Sequence, residues 1–158
     1  MRNQINLERL RSEDTEKLVI GSLIMDETTR IDLMPQLFPD LFYYKKHQVV
    51  YKIIDKLMDQ QREIDLTVIC EKNRKLDTGL SASYITQCLN ETVTAANAEE
   101  HYKDLYDLWY RRQLIKQSEQ NQNLALDFEK DISDVSSRAE ENIFDLTSQK
   151  TDKSFSHV

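Results

Sequence analysis

Glycine, histidine and cysteine are the residues of this sequence whose spacing can be tested against known chemistry. The 158 residues include only two glycines, Gly21 and Gly79. A Walker A loop needs two glycines five positions apart, followed by lysine and serine or threonine, so that backbone N–H groups surround the phosphates. A dinucleotide fingerprint needs three clustered glycines. The spacing of Gly21 and Gly79 therefore excludes a nucleotide-triphosphate motor of this kind within these residues.

The histidines and cysteines also lack catalytic or metal-binding neighbours. His47 is not part of an HExxH motif, so we predict a structural histidine bonded to a loop carbonyl group. Cys70 and Cys88 are not part of a CxxC pair, which indicates buried apolar residues in a reducing compartment. Asp65 precedes an apolar segment and is interpreted as a helix N-cap. We therefore predict no enzyme activity, metal or cofactor for this chain.

The charge balance argues against DNA as the main ligand of these residues. The chain has 28 acidic and 21 basic residues, and its net charge is −7. Domains that bind DNA through its phosphates usually carry a basic face, because release of counterions supplies much of the affinity. No apolar run is long enough to cross a bilayer, and the start MRNQINLERLR lacks the core of a signal peptide. We predict a cytoplasmic protein without membrane contact.

The scarcity of helix breakers predicts an all-α fold. Two prolines and two glycines leave few turns, and the apolar residues recur at helical spacing. A buried helix is predicted over residues 16–25, where Gly21 allows another helix to approach closely. The clearest amphipathic helix covers residues 45–60. With further helices after Asp65 and Ser81, residues 15–94 are predicted to form a globule of about five helices, after a flexible entry over residues 1–14.

From residue 95 onward the sequence changes character, because no glycine or proline follows. A helix is predicted from Ala95 to Leu126, about 32 residues or roughly 48 Å long. A second amphipathic helix begins near Ile132. The pair predicts a projecting antiparallel helical hairpin over residues 95–147. Residues 148–158 are interpreted as the start of a linker.

Two groups of apolar residues are candidates for a protein interface. The first is aromatic and lies on the long helix: Tyr102, Tyr106, Trp109 and Tyr110. These side chains surround the helix and cannot all face one core; they either fill the groove against the globule or anchor a partner. Base stacking beside Arg111 and Arg112 is a third interpretation, which nearby aspartates weaken. The second group is Ile143, Phe144 and Leu146, which need the globule or another chain to cover them.

An ordered set of fragments resembles the amino-terminal domain of the DnaB-type bacterial replicative DNA helicases, over approximately residues 12–147. The fragments are, in chain order, Glu16 with residues 19–23 (VIGSL), residues 41–43 (LFY) with His47 and Tyr51, residues 63–67 (EIDLT), Tyr84 and Ile85, residues 95–97 (AAN), Tyr102, Arg111 and Arg112 with Leu114, and residues 140–146 (EENIFDL). Each fragment is weak by itself, and their shared order carries the resemblance.

The resemblance implies a helical globule followed by a hairpin that pairs with other copies, as a dimer or within a hexameric ring, and that recruits primase. ATP and Mg²⁺ would then belong to a carboxy-terminal domain, and DNA would be contacted only through the parent helicase. An alternative is a free-standing helicase adaptor or loader, or the helicase-binding domain of a primase. Continuation of the gene into a Walker A motif would separate these hypotheses.

Overall fold

The computed structural model describes residues 6–155, with side chains up to residue 148. These residues form seven α-helices, three short 3-10 helices and no strand, which confirms the predicted all-α class. The α-helices are α1 (Glu13–Met25), α2 (Glu27–Leu33), α3 (Lys45–Asp59), α4 (Leu66–Leu76), α5 (Ala82–Asn90), α6 (Ala98–Ala125) and α7 (Ile132–Phe155). The 3-10 helices are Leu7–Leu10, Met34–Gln36 and Pro39–Leu41.

The chain ends are only partly described. The predicted flexible entry, residues 1–14, includes the 3-10 helix Leu7–Leu10 and the first residues of α1, whereas residues 1–5 lie outside the described residues. The predicted linker begins at residue 148, and the backbone of α7 continues to Phe155. Residues 156–158 lie outside the described part of the chain.

Short polar side chains start most of the helices. Ser12, Asp26, Asp65 and Ser81 each accept a hydrogen bond from the backbone N–H three residues later, at the start of α1, α2, α4 and α5. Such caps satisfy donors that have no partner inside the helix. The predicted N-cap roles of Asp65 and Ser81 are thus confirmed. Helix α3 differs, because its N-cap residue Tyr44 supplies no side-chain hydrogen bond.

The first compact unit, residues 1–109, is called the globule below. Its core residues come from α1 to α5, from the first part of α6 and from the loop before α3. The fully buried large apolar side chains are Ile20, Leu23, Leu41, Phe42, Ile53, Ile54, Leu57, Ile69, Ile85 and Leu105. Residues 98–109 of α6 belong to this unit.

Gly21 brings α1 and α5 together. A Cβ atom at this position would lie 2.5 Å from the carbonyl oxygen of Cys88 and 1.9 Å from Oγ1 of Thr92. No side chain fits at such distances, so the predicted close approach of another helix is confirmed. The approaching segment is the last turn of α5 together with Thr92, two residues after the end of that helix.

The second compact unit, residues 110–158, is called the hairpin below. It contains the second half of α6, a connection over residues 126–131, and α7. Nδ2 of Asn142 donates to Oδ1 of Asn121 over 3.3 Å, which joins α7 to α6 and sets the two helices antiparallel across the connection. Asp131 accepts from the backbone N–H of Asp134 over 2.8 Å and caps the start of α7.

Candidate protein-interaction surface

The aromatic candidates on the globule part of α6 are mainly core residues. Tyr102 and Trp109 are buried. Nε1 of Trp109 donates to Oδ2 of Asp40 over 2.8 Å, and its ring meets the Phe38 ring edge-on at 4.8 Å between centroids. Tyr106 is half-buried between them, with centroid distances of 6.2 Å to Tyr102 and 5.5 Å to Trp109. The interpretation of these aromatics as groove fillers therefore fits Tyr102 and Trp109.

The candidates in the hairpin are divided between buried and exposed positions. Leu146 is buried and Tyr110 is half-buried. Ile143 and Phe144 are 56% and 68% exposed. A substitution at either exposed position can therefore test partner binding without first disturbing the packing of the chain. Of the seven predicted interface residues, these two are the accessible ones.

The structure adds exposed apolar residues that the sequence prediction missed. Leu114 is half-exposed on α6. Leu126, Phe128 and Ile132 surround the connection and are 69%, 89% and 81% exposed. The signal that identifies them is their position in a unit of two helices, because such a unit has little interior in which to bury them. We call the set Leu114, Leu126, Phe128, Ile132, Ile143 and Phe144 the hairpin apolar surface.

The interior of the hairpin is unusually polar. Asn121 and Asn142 share its half-buried face, and Oε1 of Gln117 is buried there without a hydrogen-bond partner among the described residues. Among the described hairpin side chains, Leu146 alone is a buried hydrophobic residue. Buried amide groups lose their water ligands and contribute little net stability when paired. The two helices of the hairpin are therefore held together weakly by their own contacts.

A buried polar cluster joins three helices of the globule. Nδ1 of His47 lies 2.7 Å from Oε1 of Glu16, and Nε2 of His47 lies 2.6 Å from the hydroxyl of Tyr84. Glu16 also accepts from the backbone N–H groups of Tyr43 and Tyr44 over 2.9 and 3.3 Å. The prediction that His47 bonds a loop carbonyl group is wrong, because its Nδ1 atom contacts the buried carboxylate of Glu16.

This cluster has a structural role. The side chain of Tyr44 does not cap α3. The carboxylate of Glu16, on α1, instead accepts from two backbone N–H groups at the start of α3, where the helix dipole favours an anion. Its carboxylate is 1% exposed and His47 is 0% exposed, so neither group is open to a substrate. Burial raises the pKa of the Tyr84 hydroxyl well above its usual range, which keeps the phenol protonated as a hydrogen-bond partner. The cluster fixes α1, α3 and α5 relative to one another.

Among the described residues of the globule, the other polar groups are not arranged as a metal site or around a reactive thiol. Among the described residues no group of three His, Cys, Asp or Glu side chains is placed to hold a metal ion. A cavity of about 860 Å³ lies between α4 and α5, with Cys70 and Asn73 in its lining. Asn73 donates to the carbonyl oxygen of Leu80 and accepts from Thr78, so it holds the loop between the helices. Burial raises the pKa of the Cys70 thiol, which disfavours the reactive thiolate.

Helices long and apolar enough to span a bilayer do not occur in the part of the chain that the structure describes.

Comparison with solved structures shows the same fold in a helicase domain. The N-terminal domain of DnaB helicase from Mycobacterium tuberculosis is similar with a TM-score of 0.77 and 21% identity, covering 86% of this chain and 97% of that one. A DnaB-like replicative helicase, described together with its interactions with primase, is similar with a TM-score of 0.66 and 18% identity. That match covers 85% of this chain and 31% of the helicase.

Curated relatives are replicative helicases of which this chain matches a part. DnaB of Synechocystis sp. is 24% identical over 140 residues, which are 87% of this chain and 16% of that protein. DnaC of Bacillus subtilis is 25% identical over 150 residues, which are 92% of this chain and 33% of that protein. The sequence model of the DnaB-like helicase N terminal domain matches residues 8–107, which is more than half of the chain. The chain therefore belongs to the DnaB-like helicase N terminal domain family.

Proposed function

We propose that this chain is the oligomerisation and primase-docking domain of a replicative DNA helicase and has no catalytic activity itself. The observation that carries the proposal is the hairpin apolar surface, in which six large side chains stay exposed on a unit of two helices. Burial of apolar surface stabilises an association by about 25 cal/mol for each Å² removed from water. A second copy that covers these residues supplies that burial, and the self-association arranges the domains of several helicase subunits.

The comparisons support the primase part of this proposal. One similar structure is a DnaB-like replicative helicase described with its interactions with primase. The curated relatives are helicases of which the chain spans between 16% and 33% in the two matches above. In this proposal the unwinding of DNA, with its ATP and Mg²⁺, belongs to other residues of a longer helicase. The domain acts by holding subunits together and by presenting a surface to primase.

Sedimentation of the purified chain tests the self-association. We expect a dimer or larger species at micromolar concentration. Ile143→Asp and Phe144→Asp place a charge on the exposed apolar residues of α7, and each is expected to weaken the association by about tenfold or more, because a desolvated charge without a partner opposes burial. Val93→Asp is the matched control, since Val93 is 93% exposed on the globule and lies outside the hairpin apolar surface.

Calorimetric titration with purified bacterial primase tests the docking. We expect binding to the wild-type chain and to the Val93→Asp control. A chain that stays monomeric up to about a hundred micromolar, and that gives no heat with primase, contradicts the proposed function. An unchanged dimer in both α7 variants contradicts the choice of surface.

A further inference from the structure

The connection between α6 and α7 has no residue that forces the chain to turn. Its sequence over residues 126–131 is Leu-Asp-Phe-Glu-Lys-Asp, without glycine or proline. Residues with positive φ in the described chain are Gln61, Asp77 and Gly79, none of which belongs to the connection. Helical hairpins are commonly terminated by a left-handed glycine or asparagine, or by a proline just beyond the helix. This connection carries none of these and can therefore adopt helical dihedral angles without strain.

An apolar stripe continues through the connection at helical spacing. Its members are Leu124, Phe128, Ile132, Val135, Ala139, Ile143 and Leu146. On a continuous helix these residues fall within an arc of about 100°, and Leu124, Val135 and Leu146 follow the 11-residue repeat of long paired helices. The closed hairpin interrupts this stripe and leaves Phe128 and Ile132 among its most exposed apolar side chains. The sequence pattern thus fits one long helix better than it fits the turn.

The contacts that close the hairpin can be made equally well by another chain. The hydrogen bond between Asn121 and Asn142 requires only that an α7 lies antiparallel to an α6. The buried Oε1 of Gln117 has no hydrogen-bond partner among the described residues of the closed form. Exchange of an identical element between protomers is a low-cost route to a dimer, because it replaces each contact inside a chain with the same contact between chains.

We propose that two copies of this chain exchange α7. The connection becomes helical, α6 and α7 join into one helix, and each α7 takes the place against α6 of the partner that the partner's own helix occupies in the closed hairpin. The proposal rests on the self-association proposed above and specifies how it is made. The members of the hairpin apolar surface that the second copy then covers are Phe128 and Ile132, at the connection.

The register of the closed hairpin shows what exchange would bury. If the Asn121–Asn142 pairing is kept, Phe128 lies opposite Val135 of the partner subunit. The two copies of Ile132 meet near the two-fold axis. The connection thereby changes from the most exposed apolar part of the hairpin into the centre of the dimer interface. An isologous interface of this kind covers Phe128 and Ile132 twice, once on each chain.

Polar contacts of the turn oppose the exchange. The ammonium group of Lys130 forms an ion pair with Asp127, and Asp131 caps α7. The cap is lost when the connection becomes helical, whereas an ion pair between residues three apart can also form on a helix. The cap favours the closed hairpin in a single dilute chain, so exchange requires enough protein for the burial at the dyad to compensate. The closed and exchanged forms are therefore expected to interconvert with protein concentration.

Thiol cross-linking distinguishes the two forms. The test uses Asn121→Cys with Asn142→Cys, in the 158-residue chain with the half-exposed Cys70 replaced by serine and the buried Cys88 kept. The dimer fraction is treated with a short bifunctional maleimide and run on a denaturing gel. Exchange predicts a covalent dimer, because each pair of thiols then joins two chains. The single variants Asn121→Cys and Asn142→Cys are controls and are expected to stay monomeric on the gel.

A proline in the connection provides the second arm of the test. Phe128 is the second residue of a turn closed by the Lys130 N–H and the Asp127 carbonyl oxygen over 3.2 Å. Proline suits this turn position but breaks a helix. Phe128→Pro is therefore expected to weaken the dimer by about 100-fold or more. Phe128→Ala removes the same side chain without preventing a helix, and it is expected to weaken the dimer by about tenfold and to keep the cross-link between chains.

The outcomes separate the exchange from the proposed function. A dimer in which the double-cysteine variant links only within each chain overturns the exchange and leaves the self-association intact. Equal dimerisation of Phe128→Pro and Phe128→Ala also overturns it. A covalent dimer that disappears with Phe128→Pro and persists with Phe128→Ala supports it. A chain without any dimer contradicts both proposals.

Discussion

The globule and the hairpin are both helical, but different groups lie between their helices. Val19, Ile20 and Leu23 of α1 are completely buried in the globule, where Glu16 and His47 are buried with their polar atoms paired. The interior of the hairpin contains a pair of asparagines and an amide oxygen without a partner among the described residues, and six of its large apolar side chains are exposed. The globule thus places its apolar surface inside and the hairpin places most of it outside.

Helix α6 shows that this difference does not come from helix formation. Its first part, in the globule, presents Ala98, Leu105 and Trp109 as buried residues, whereas its second part includes the polar stretch over residues 116–123. Both parts form one uninterrupted helix. Helix formation is therefore common to both parts of α6, and the parts differ in how much of their apolar side-chain surface is buried.

The comparison predicts that the largest loss of stability comes from breaking the buried cluster of the globule. Glu16→Ala leaves His47 and two backbone N–H groups without their acceptor, in a site closed to water. We expect a loss of about 3–5 kcal/mol in the free energy of unfolding, as for removal of one partner from a buried pair. Urea denaturation followed by the fluorescence of Trp109, the single tryptophan of the chain, measures this loss.

Glu13→Ala is the matched control for this prediction. Glu13 is on the same helix and pairs with Lys46 over 2.5 Å, but its side chain is 38% exposed. Exposed ion pairs contribute about 0–1 kcal/mol, so its loss should be small. Equal effects of the two substitutions would show that the interior of the globule does not depend on the cluster.

Most of the fold could be predicted from the sequence because its determinants are local. The cap residues Asp65 and Ser81 act within one turn of the chain, and both lie where they were predicted. Gly21 required one further inference, that a residue without a side chain inside an apolar helix marks a close approach. The partner of His47 could not be predicted, because Glu16 lies 31 residues away and reaches it only after α1 and α3 have packed.

The candidate surface was predicted only in part, for a related reason. Ile143 and Phe144 were identified because the hairpin was expected to lack a core. Phe128 and Ile132 were not, because spacing alone does not show whether a residue beside a turn is covered. Tyr102 and Trp109 were listed as interface candidates but are buried, since a helical stripe of aromatics is compatible with a core as well as with an interface. Burial in the folded chain distinguishes these cases, and it depends on contacts between distant residues.

A substitution of intermediate effect tests whether the polar interior weakens the hairpin. Replacement of both Asn121 and Asn142 by leucine keeps the side-chain shape and removes the cost of burying two amides. We expect hydrogen exchange of the α7 amides to slow by about five- to tenfold, or roughly 1 kcal/mol, in chains dilute enough to be monomeric. Amides of α1 and α3 in the globule should not change.

Two further variants make this test specific. Asn121→Leu alone leaves Asn142 without its partner and should speed the hydrogen exchange of the α7 amides. Asn123→Leu places the same side chain at an exposed position of α6 and should leave the exchange unchanged. If the double variant loses protection as the single variant does, the asparagine pair stabilises the hairpin and the contrast with the globule is smaller than we infer.

The smallest effect is expected from the turn of the hairpin, and it should depend on pH. A hydrogen bond from Lys130 lowers the pKa of the Asp127 carboxyl below its usual 3.8. Because the folded pKa is the lower one, the ion pair stabilises the closed turn above about pH 4, and this stabilisation is lost as the pH falls through the folded pKa. Asp127→Asn removes the pair at every pH. We expect this substitution to speed the hydrogen exchange of the α7 amides by less than about threefold at pH 7.

Acidification should remove the difference between the wild-type chain and Asp127→Asn. Exchange is compared after correction for the intrinsic pH dependence of amide exchange, and Trp109 fluorescence reports whether the globule remains folded. Glu129→Gln changes the same charge within the connection and is expected to behave as wild type, since no ion pair of Glu129 occurs among the described residues. A difference that persists below pH 3 would mean that Asp127 acts through its backbone contacts, and the turn would then resist straightening at every pH.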